Sequence, residues 1–298
     1  MKTIEQVSEY IERRYPSRSV KYIVKLSGGY VNHVYRVVFN NLSTLILKHF
    51  STELSSNSFV PIGQERYFVE KKALNLFSHT PRLYYADDSL YTLEMEDIGE
   101  SVMSFLDLLR NPIDNNIQSI ISELLLFLEE IKGTKADDVF RNPSAFDILN
   151  NYVVPQYSET LSKFRIPSPP EVSATPFNIS EGDVVTFGDL WPNSIFISPD
   201  FKSFWLLDWE MCRLAPNHSD VIQLLSNLWI MSHSSEFHQP SVLLCYNFIV
   251  SAYSELYADF YTLSKKEIFI SVVRLIDFPH WKLSDPEKVL NGAISQFI

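Results

Sequence analysis

The chain has 298 residues, of which 46% are hydrophobic and 14% aromatic, enough apolar side chain to bury a sizeable core. Its 25 basic residues stand against 36 acidic ones, so the formal net charge is −11, and we expect no nucleic-acid partner for so acidic a protein. The sequence contains no apolar run long enough to cross a bilayer and no signal-peptide pattern. It therefore predicts a cytoplasmic protein with no membrane partner.

The first hundred residues have the pattern of a small antiparallel sheet preceded by one helix. Thr3 and Gln6 form a capping-box pattern that predicts the start of this helix. Stretches rich in β-branched and aromatic residues predict strands at 21–26, 34–39, 44–50, 82–85 and 91–96. We expect a polar loop from Ser51 and then a helix over 63–78.

After Gly99 the apolar residues recur at helical spacing, beginning with the face formed by Ile121, Leu124, Leu125, Leu128 and Ile131. Three short strands, which we expect to form an embedded hairpin, interrupt the helices at 184–187, 195–197 and 203–208. The order predicts an α+β fold with two lobes and a cleft between them. The strand-rich lobe would comprise residues 1–98 and the mainly helical lobe residues 99–298.

The acidic excess belongs to the second of these lobes. Residues 1–98 contain 12 basic and 11 acidic side chains, whereas residues 99–298 contain 13 basic and 25 acidic ones. An acidic solvated surface explains such an excess. It also suits a lobe that attracts a metal ion or a cationic, amino-bearing substrate.

Two charged residues of the first lobe stand where apolar ones are expected. Lys48 lies in the run 45–50, whose two faces are both largely apolar, and a buried ammonium needs an anion. The alternative for Lys48 is an ordinary position on an edge strand. Glu70 lies on the apolar side of its predicted helix, so the two residues can pair with each other, and Glu65 is the alternative partner.

Two acidic segments follow in the second lobe. Asp189 begins a loop in which Asn193 and Ser194 follow four and five residues later, and Asp208 ends the third short strand. A glycosidase pair of carboxylates is one interpretation, but it leaves Lys48 unexplained. Phosphoryl transfer needs a cation on the nucleotide phosphates, an acid on Mg²⁺ and an acid beside the attacking hydroxyl, and it accounts for all these residues.

At these positions the sequence resembles the aminoglycoside phosphotransferase and choline kinase family, the small-molecule relatives of protein kinases. The segments Phe187-Gly188-Asp189 and Leu207-Asp208-Trp209-Glu210 are jointly similar to the two acidic motifs of that family. The turn with Gly28 and Gly29 is similar to the family's nucleotide-covering loop. Leu93-Glu94-Met95-Glu96-Asp97 resembles the strand that enters its hinge.

The resemblance implies a protein-kinase-like fold and an ATP- and Mg²⁺-dependent transfer of the γ-phosphate to a hydroxyl of a small molecule. The roles that it implies are Gly28 and Gly29 in the nucleotide-covering turn, Lys48 on the α- and β-phosphates, Glu70 holding Lys48, the backbone from Glu96 to Ile98 on adenine, Asp189 as the catalytic base, and Asp208 as the chief Mg²⁺ ligand.

Several assignments stay open at this level. Asn193 and Ser194 are both candidates for the second metal ligand, because a hydroxyl stands where the family usually has an amide and either oxygen suits Mg²⁺. Glu210 either helps to bind metal or substrate or caps the next segment, and Trp191 is a substrate candidate. Asp220 matches an acid that holds the catalytic loop through backbone amides.

Two departures from the family pattern favour a different class of protein. Phe187 replaces a histidine, and Ser194 replaces the usual asparagine. With the sparse glycines of the nucleotide loop, they suggest a degenerate nucleotide-binding or interaction module without turnover. The presence of both Asp189 and Asp208 favours an active kinase.

Overall fold

The computed structural model describes residues 1–26, 32–54, 57–113, 116–145, 154–170, 172, 182–278 and 281–298. Its first part contains helices α1 (Ile4–Arg14) and α2 (Glu65–Leu76) and strands β1 (Val20–Lys25), β2 (His33–Phe39), β3 (Thr44–His49), β4 (Glu53–Leu54), β5 (Asn57–Pro61), β6 (Leu83–Asp87) and β7 (Thr92–Met95). The predicted helix start at Thr3 is confirmed, because its hydroxyl accepts the Gln6 amide and the Gln6 side chain returns to the Thr3 backbone.

Five of these strands form one antiparallel sheet in the order β1-β2-β3-β7-β6. Strand β3 is central, and its Lys48 pairs with Val34 on one side and Leu93 on the other. The edge-strand interpretation of Lys48 is therefore wrong. The polar loop expected after Ser51 is also wrong in part, since β4 and β5 form a short hairpin there.

The second part is mainly helical. It contains helices α3 (Phe105–Leu108), α4 (Ile117–Lys132), α5 (Val154–Lys163), α6 (Ser219–Met231), α7 (Gln239–Leu256), α8 (Phe260–Leu275) and α9 (Pro286–Phe297) and strands β8 (Met103–Ser104), β9 (Val184–Thr186), β10 (Ile195–Ile197), β11 (Phe204–Leu206) and β12 (Arg213–Ala215). The expected apolar face of α4 is buried along its whole length. The predicted α+β class, with an antiparallel sheet in the first part and a mainly helical second part, is confirmed; the exact division after Ile98 stays a prediction.

Two of the three predicted short strands, β10 and β11, form the expected hairpin, and the third, β9, lies outside it. Strand β10 is central and pairs with β11 on one side and β8 on the other, whereas β9 pairs with β12. The loop after β9 turns away at Gly188, whose φ of +88° is open to glycine and strained for other residues. Two small sheets therefore carry the two acidic segments and hold them side by side.

The main hydrophobic core runs from the inner side of the sheet into the helices, and a smaller core lies between α1 and the outer face of the sheet. Tyr35 and Leu47 belong to the outer core, so the alternating residues Val34, Ile46 and Lys48 face the other way, toward the helical part. Within the described residues, no helix is both long and apolar enough to cross a membrane.

Candidate active site

Lys48 is the cation at the centre of the site. Its side chain is 7% exposed, and its Nζ lies 2.5 Å from Glu70 Oε2 and 2.5 Å from Asp208 Oδ1. Burial acts to lower the pKa of Lys48, but the carboxylates of Asp208, Glu70 and Glu210 outweigh it and raise the pKa. The ammonium is therefore charged at any physiological pH.

Glu70 reaches Lys48 from the buried face of α2. Its side chain is 2% exposed, as its place among apolar residues of the helix predicts. The ion pair expected between Lys48 and Glu70 is present. Glu65, the alternative partner, lies one turn earlier and accepts a hydrogen bond from Ser144 Oγ at 2.6 Å.

The loop that carries Asp189 is fixed through its backbone. Asp220, at the start of α6, accepts the amides of Phe187 at 2.8 Å and Gly188 at 2.9 Å, which confirms the role expected for it. A side chain at Gly188 would place its Cβ 2.0 Å from the Met211 carbonyl oxygen. Arg213 completes the support by donating to the Gly188 carbonyl at 2.9 Å.

The side chain of Asp189 is half-buried and has one hydrogen-bond donor among the described residues. Gln223 Nε2, one turn into α6, donates to Asp189 Oδ1 at 2.8 Å. Burial raises the pKa of Asp189 to about 6, with Asp208 and Glu210 adding to the rise and Gln223 and Arg213 opposing it. A carboxylate tuned in this way can accept a proton near neutral pH.

Asp208 follows β11 in a left-handed conformation with φ of +76° and ψ of +59°. Such a backbone is uncommon for a residue other than glycine, and it is often found at functional sites. The Asp208 side chain is 53% exposed, unlike its neighbours. Carboxylate oxygens of Glu70, Asp208 and Glu210 lie within 4.8 Å of one another and form a group that can hold a metal ion.

The candidates for a second metal ligand differ in their surroundings. The Ser194 hydroxyl is buried, donates to the Trp191 carbonyl at 2.8 Å and accepts the Trp191 amide at 3.2 Å. The Asn193 side chain is half-buried and has no hydrogen-bond partner among the described residues. The geometry favours Asn193, because the Ser194 hydroxyl already closes the turn that both residues share.

Glu210 is buried between the two parts of the chain. One of its carboxylate oxygens forms an ion pair with Arg66 of α2 and accepts Asn32 Nδ2 at 2.6 Å. Asn142 Nδ2 holds the Glu210 carbonyl at 2.9 Å. The carboxylate therefore has protein partners in place, whichever role its second oxygen takes.

The segment from Glu96 to Ile98 directly follows β7 and is half-buried. The Glu96 amide donates to the Arg82 carbonyl at 2.8 Å, while Arg36 on β2 contacts Asp97 Oδ1 at 2.9 Å. Within the described part of the chain, the Glu96 carbonyl and the Ile98 amide have no hydrogen-bond partner. Both backbone groups are therefore open to a ligand.

The structure gives less information on three of the predicted site residues, Gly28, Gly29 and Trp191. Gly28 and Gly29 lie outside the described residues. Trp191 is half-buried, packs against the main core and lies within the loop between Asp189 and Asn193. The assignment of Trp191 to the substrate stays a prediction.

Sequence reasoning missed four polar residues that support the site, namely Arg66, Asn142, Arg213 and Gln223. Each acts through a contact far away in sequence, such as the 144 positions between Arg66 and Glu210. One signal was available, because Arg66 precedes Glu70 by four residues and therefore shares its apolar helix face. The other three contacts depend on the tertiary fold.

Comparison with known proteins gives the same class of chemistry. No family model matches the chain. The 4-hydroxytryptamine kinase of Psilocybe cyanescens is 26% identical over 248 residues, which span 70% of this chain and 68% of that protein. The methylthioribose kinase of Geobacillus kaustophilus is 24% identical over 60% of this chain and 53% of its own length.

Solved structures extend the likeness over nearly the whole chain. The choline kinase LicA of Streptococcus pneumoniae has a TM-score of 0.52 at 16% identity and covers 97% of this chain and 99% of its own. An ethanolamine kinase of Plasmodium vivax has a TM-score of 0.60 at 11% identity, covering 99% and 90%. A GDP complex of aminoglycoside 2'-phosphotransferase-IIIa has a TM-score of 0.52 at 12% identity and covers both chains fully.

The chain has the fold of choline kinases and aminoglycoside phosphotransferases. The resemblance expected from the motifs is thereby confirmed, and the curated relatives, which are small-molecule kinases, support an ATP-dependent phosphotransferase. Neighbours with this kinase fold have been solved with nucleotide, and one, the amicoumacin kinase hAmiN, with AMP-PNP and Ca²⁺, at a TM-score of 0.52 and 11% identity over 99% of this chain and 96% of its own. A nucleotide and a divalent metal ion are therefore plausible ligands for a site of this kind.

Proposed function

We propose that this chain is an ATP- and Mg²⁺-dependent kinase that transfers the γ-phosphate to a hydroxyl group of a small molecule. The observation that supports the proposal is the proximity of Asp208 to both Lys48 and Asp189. Lys48 and Asp208 are in direct contact, and Asp189 is close enough for Asp208 to raise its pKa. Phosphoryl transfer needs little else, because positioning and charge neutralisation supply most of the catalysis.

In this proposal Lys48 binds the α- and β-phosphates of ATP, and Glu70 keeps its ammonium in place. The two partners suit this task because both are buried and Glu70 has no other ion-pair partner among the described residues. A lysine held from behind in this way presents a fixed positive charge to the phosphates.

Asp189 is the base in the proposed reaction. As the substrate oxygen bonds to the γ-phosphorus and the bond to the ADP oxygen breaks, the hydroxyl proton passes to a carboxylate oxygen of Asp189. The Gln223 bond to Oδ1 orients the carboxylate and leaves Oδ2 for this proton. A pKa of about 6 keeps most Asp189 side chains ionised at pH 7.

The donors at Asp208 fit a magnesium ion. Asp208 is the exposed member of the carboxylate group, and the Asn193 amide oxygen, for which the described residues provide no hydrogen-bond partner, offers a second ligand that is neutral. When bound there, Mg²⁺ would neutralise the charge of the β- and γ-phosphates. Before it binds, Lys48 holds the Asp208 carboxylate, so the chain itself keeps this acid compensated.

The open backbone groups at the edge of the cleft suit a purine base. The Glu96 carbonyl can accept from the adenine amino group, and the Ile98 amide can donate to a ring nitrogen. Ile46 and Val34, which face the cleft beside Lys48, would supply the apolar contact above the ring. These groups support a nucleotide oriented with its phosphates toward Lys48.

We favour an acceptor that carries an amine. The chain is similar to kinases named for hydroxytryptamine, choline, ethanolamine and an aminoglycoside, and all four substrates combine a hydroxyl with a cationic nitrogen. The excess of acidic residues after position 98 suits such a cation. The similarity to a methylthioribose kinase makes a neutral sugar the second candidate.

A substrate panel tests the proposal. Purified protein is incubated with ATP and Mg²⁺ and with hydroxytryptamines, choline, ethanolamine, aminoglycosides and methylthioribose, and phosphorylated product is measured by mass spectrometry. Product with an amine supports both parts of the proposal, whereas product with methylthioribose alone removes the amine preference. Nucleotide binding without product from any acceptor supports the degenerate module.

A further inference from the structure

Arg66 is a buried cation that the reaction itself does not use. It lies in the first turn of α2, and its side chain is fully buried. Its guanidinium donates to the Gly63 carbonyl and the Ser51 carbonyl, both at 3.2 Å, and reaches Asn32 Oδ1 at 3.5 Å. The carboxylate that balances its charge is that of Glu210, which belongs to the other part of the chain.

Glu210 is held as firmly from its own side. Asn142 donates through Nδ2 to the Glu210 carbonyl and to the Cys212 carbonyl, each at 2.9 Å. Asn32 adds a bond to the oxygen that Arg66 contacts. The residues from Glu210 to Cys212 are therefore fixed by both backbone and side-chain contacts.

This arrangement bears on Asp208, which lies two residues before Glu210. Asp208 needs a left-handed backbone, which is costly for a residue with a side chain and persists where the surroundings enforce it. On one side the chain is fixed up to Leu207, whose amide donates to the Ser194 carbonyl at 2.9 Å. On the other side Trp209 is buried and donates to the Leu206 carbonyl at 2.8 Å, and Glu210 is the first residue after Asp208 whose side chain forms an ion pair with α2. The Arg66 contact is thus well placed to hold Asp208 in its conformation.

We propose that Arg66 is a positioning residue: through Glu210 it holds the 208–212 segment across the cleft and keeps the Asp208 carboxylate where metal binds. Arg66 contacts neither the phosphates nor the metal in this proposal. A guanidinium suits the task because its planar fork bonds the carboxylate, Asn32 and two carbonyls at once, which an ammonium cannot reproduce. The metal part of the inference rests on the proposed function, whereas the part concerning the segment does not.

The first measurement is hydrogen–deuterium exchange of the amides from 208 to 212. Arg66→Met should speed their exchange about tenfold or more, and Arg66→Lys should give a smaller change. Glu94→Gln is the matched control. Glu94, like Glu210, is a buried carboxylate. It accepts a hydrogen bond from Tyr10 Oη at 2.8 Å on the outer side of the sheet, away from Asp208. Exchange in this segment that is unchanged by Arg66→Met, or raised equally by Glu94→Gln, would overturn the proposal.

The second measurement is the affinity for Mn²⁺ in the presence of ADP, followed by electron paramagnetic resonance. Residues that orient a metal ligand typically contribute about 10–100-fold to metal affinity, so Arg66→Met should weaken Mn²⁺ binding by that factor. ADP affinity without metal should stay within about twofold of wild type, since Lys48 and the hinge are untouched. Equal loss of metal and metal-free ADP binding contradicts the positioning role.

The two proposals fail in different ways. If the wild type binds no Mn²⁺–ADP, the kinase proposal fails, while exchange at 208–212 still decides whether Arg66 holds the segment. If Arg66→Met does not fold, both quantities are measured on Arg66→Lys instead. Faster exchange and weaker Mn²⁺ binding in that variant support the proposal, and wild-type values for both contradict it.

Discussion

Lys48 on the central strand of the sheet contacts Asp208, which lies 160 positions later in the chain, with 2.5 Å between Nζ and Oδ1. The same ammonium contacts Glu70 at an equal distance. One cation thus compensates a buried acid of α2 and a half-exposed acid of the cleft. A bound metal ion can replace Lys48 as the cation beside Asp208. The nucleotide phosphates can then replace Asp208 as the anion beside Lys48.

The pair with Glu70 predicts how Lys48→Met behaves. The substitution leaves the Glu70 carboxylate buried without its cation, and breaking a buried pair in this way costs about 3–5 kcal/mol of unfolding free energy. Replacing both members, in Lys48→Met with Glu70→Leu, should recover most of that loss. Urea denaturation of the two variants and the wild type measures it. A double variant as unstable as Lys48→Met would contradict the account.

Asp189 should be required for turnover and dispensable for nucleotide binding. Because it accepts the hydroxyl proton, Asp189→Asn should lower kcat by about 10²–10⁴-fold and leave ADP affinity unchanged. Asp183→Asn is the matched control, since Asp183 is an exposed acid shortly before the same loop. Steady-state kinetics and calorimetry give the two quantities. Wild-type kcat in Asp189→Asn would exclude this base.

The pKa of Asp189 predicts the pH dependence of kcat. The base must be ionised, and burial raises its pKa to about 6, so activity should rise with pH through that value. At pH 5 the carboxyl would be mostly protonated and kcat about tenfold below its plateau. A profile of kcat from pH 5 to 8 measures this limb. A kcat that stays flat down to pH 5 would contradict the assignment.

Gln223 should influence the pH at which kcat rises. Its hydrogen bond to Asp189 Oδ1 stabilises the charged form and lowers the pKa, so Gln223→Leu should move the acid limb to higher pH. Ser219→Ala, which changes an exposed hydroxyl at the start of the same helix, should leave the limb in place. The comparison uses kcat profiles of the three proteins. A limb that moves equally in both variants would point to a general effect on the helix.

Substitution of two glycines with positive φ distinguishes the energetic cost of backbone strain from that of a steric clash. Gly188 has φ of +88° with the Met211 carbonyl where a Cβ would lie, whereas Gly99 has φ of +96° and open space around it. Gly99→Ala should therefore lose about 1–2 kcal/mol, the cost of a left-handed residue. Gly188→Ala should lose more and also reduce kcat, because the loop with Asp189 must shift. Equal losses in thermal unfolding would show that packing at Met211 is unimportant.

The elements that the sequence predicted best are those with strong periodicity. The strands of the large sheet and helix α4 follow directly from the residues that one face must bury. Lys48 and Glu70 could be paired from the sequence because each placed a charge on an apolar face. A burial argument of this kind needs no knowledge of the partner's position in space.

The long-range contacts could not be predicted in the same way. Strand β9 was predicted, but its partner β12 was not, because a strand of three residues is too short for a periodic signal. The partner of Glu210 depends on how α2 docks against the following part of the chain. A local sequence pattern contains no information on that docking, which is why the pairing of Arg66 with Glu210 was missed.

Transfer of labelled phosphate from ATP is the measurement that tests the central claim most directly. Wild type, Asp189→Asn and Asp183→Asn are each incubated with Mg²⁺, γ-labelled ATP and the amine-bearing panel. The account predicts labelled product from wild type and from Asp183→Asn, and at least about a hundredfold less from Asp189→Asn. Labelled product formed equally well by Asp189→Asn, or nucleotide binding with no product from the wild type, would contradict it.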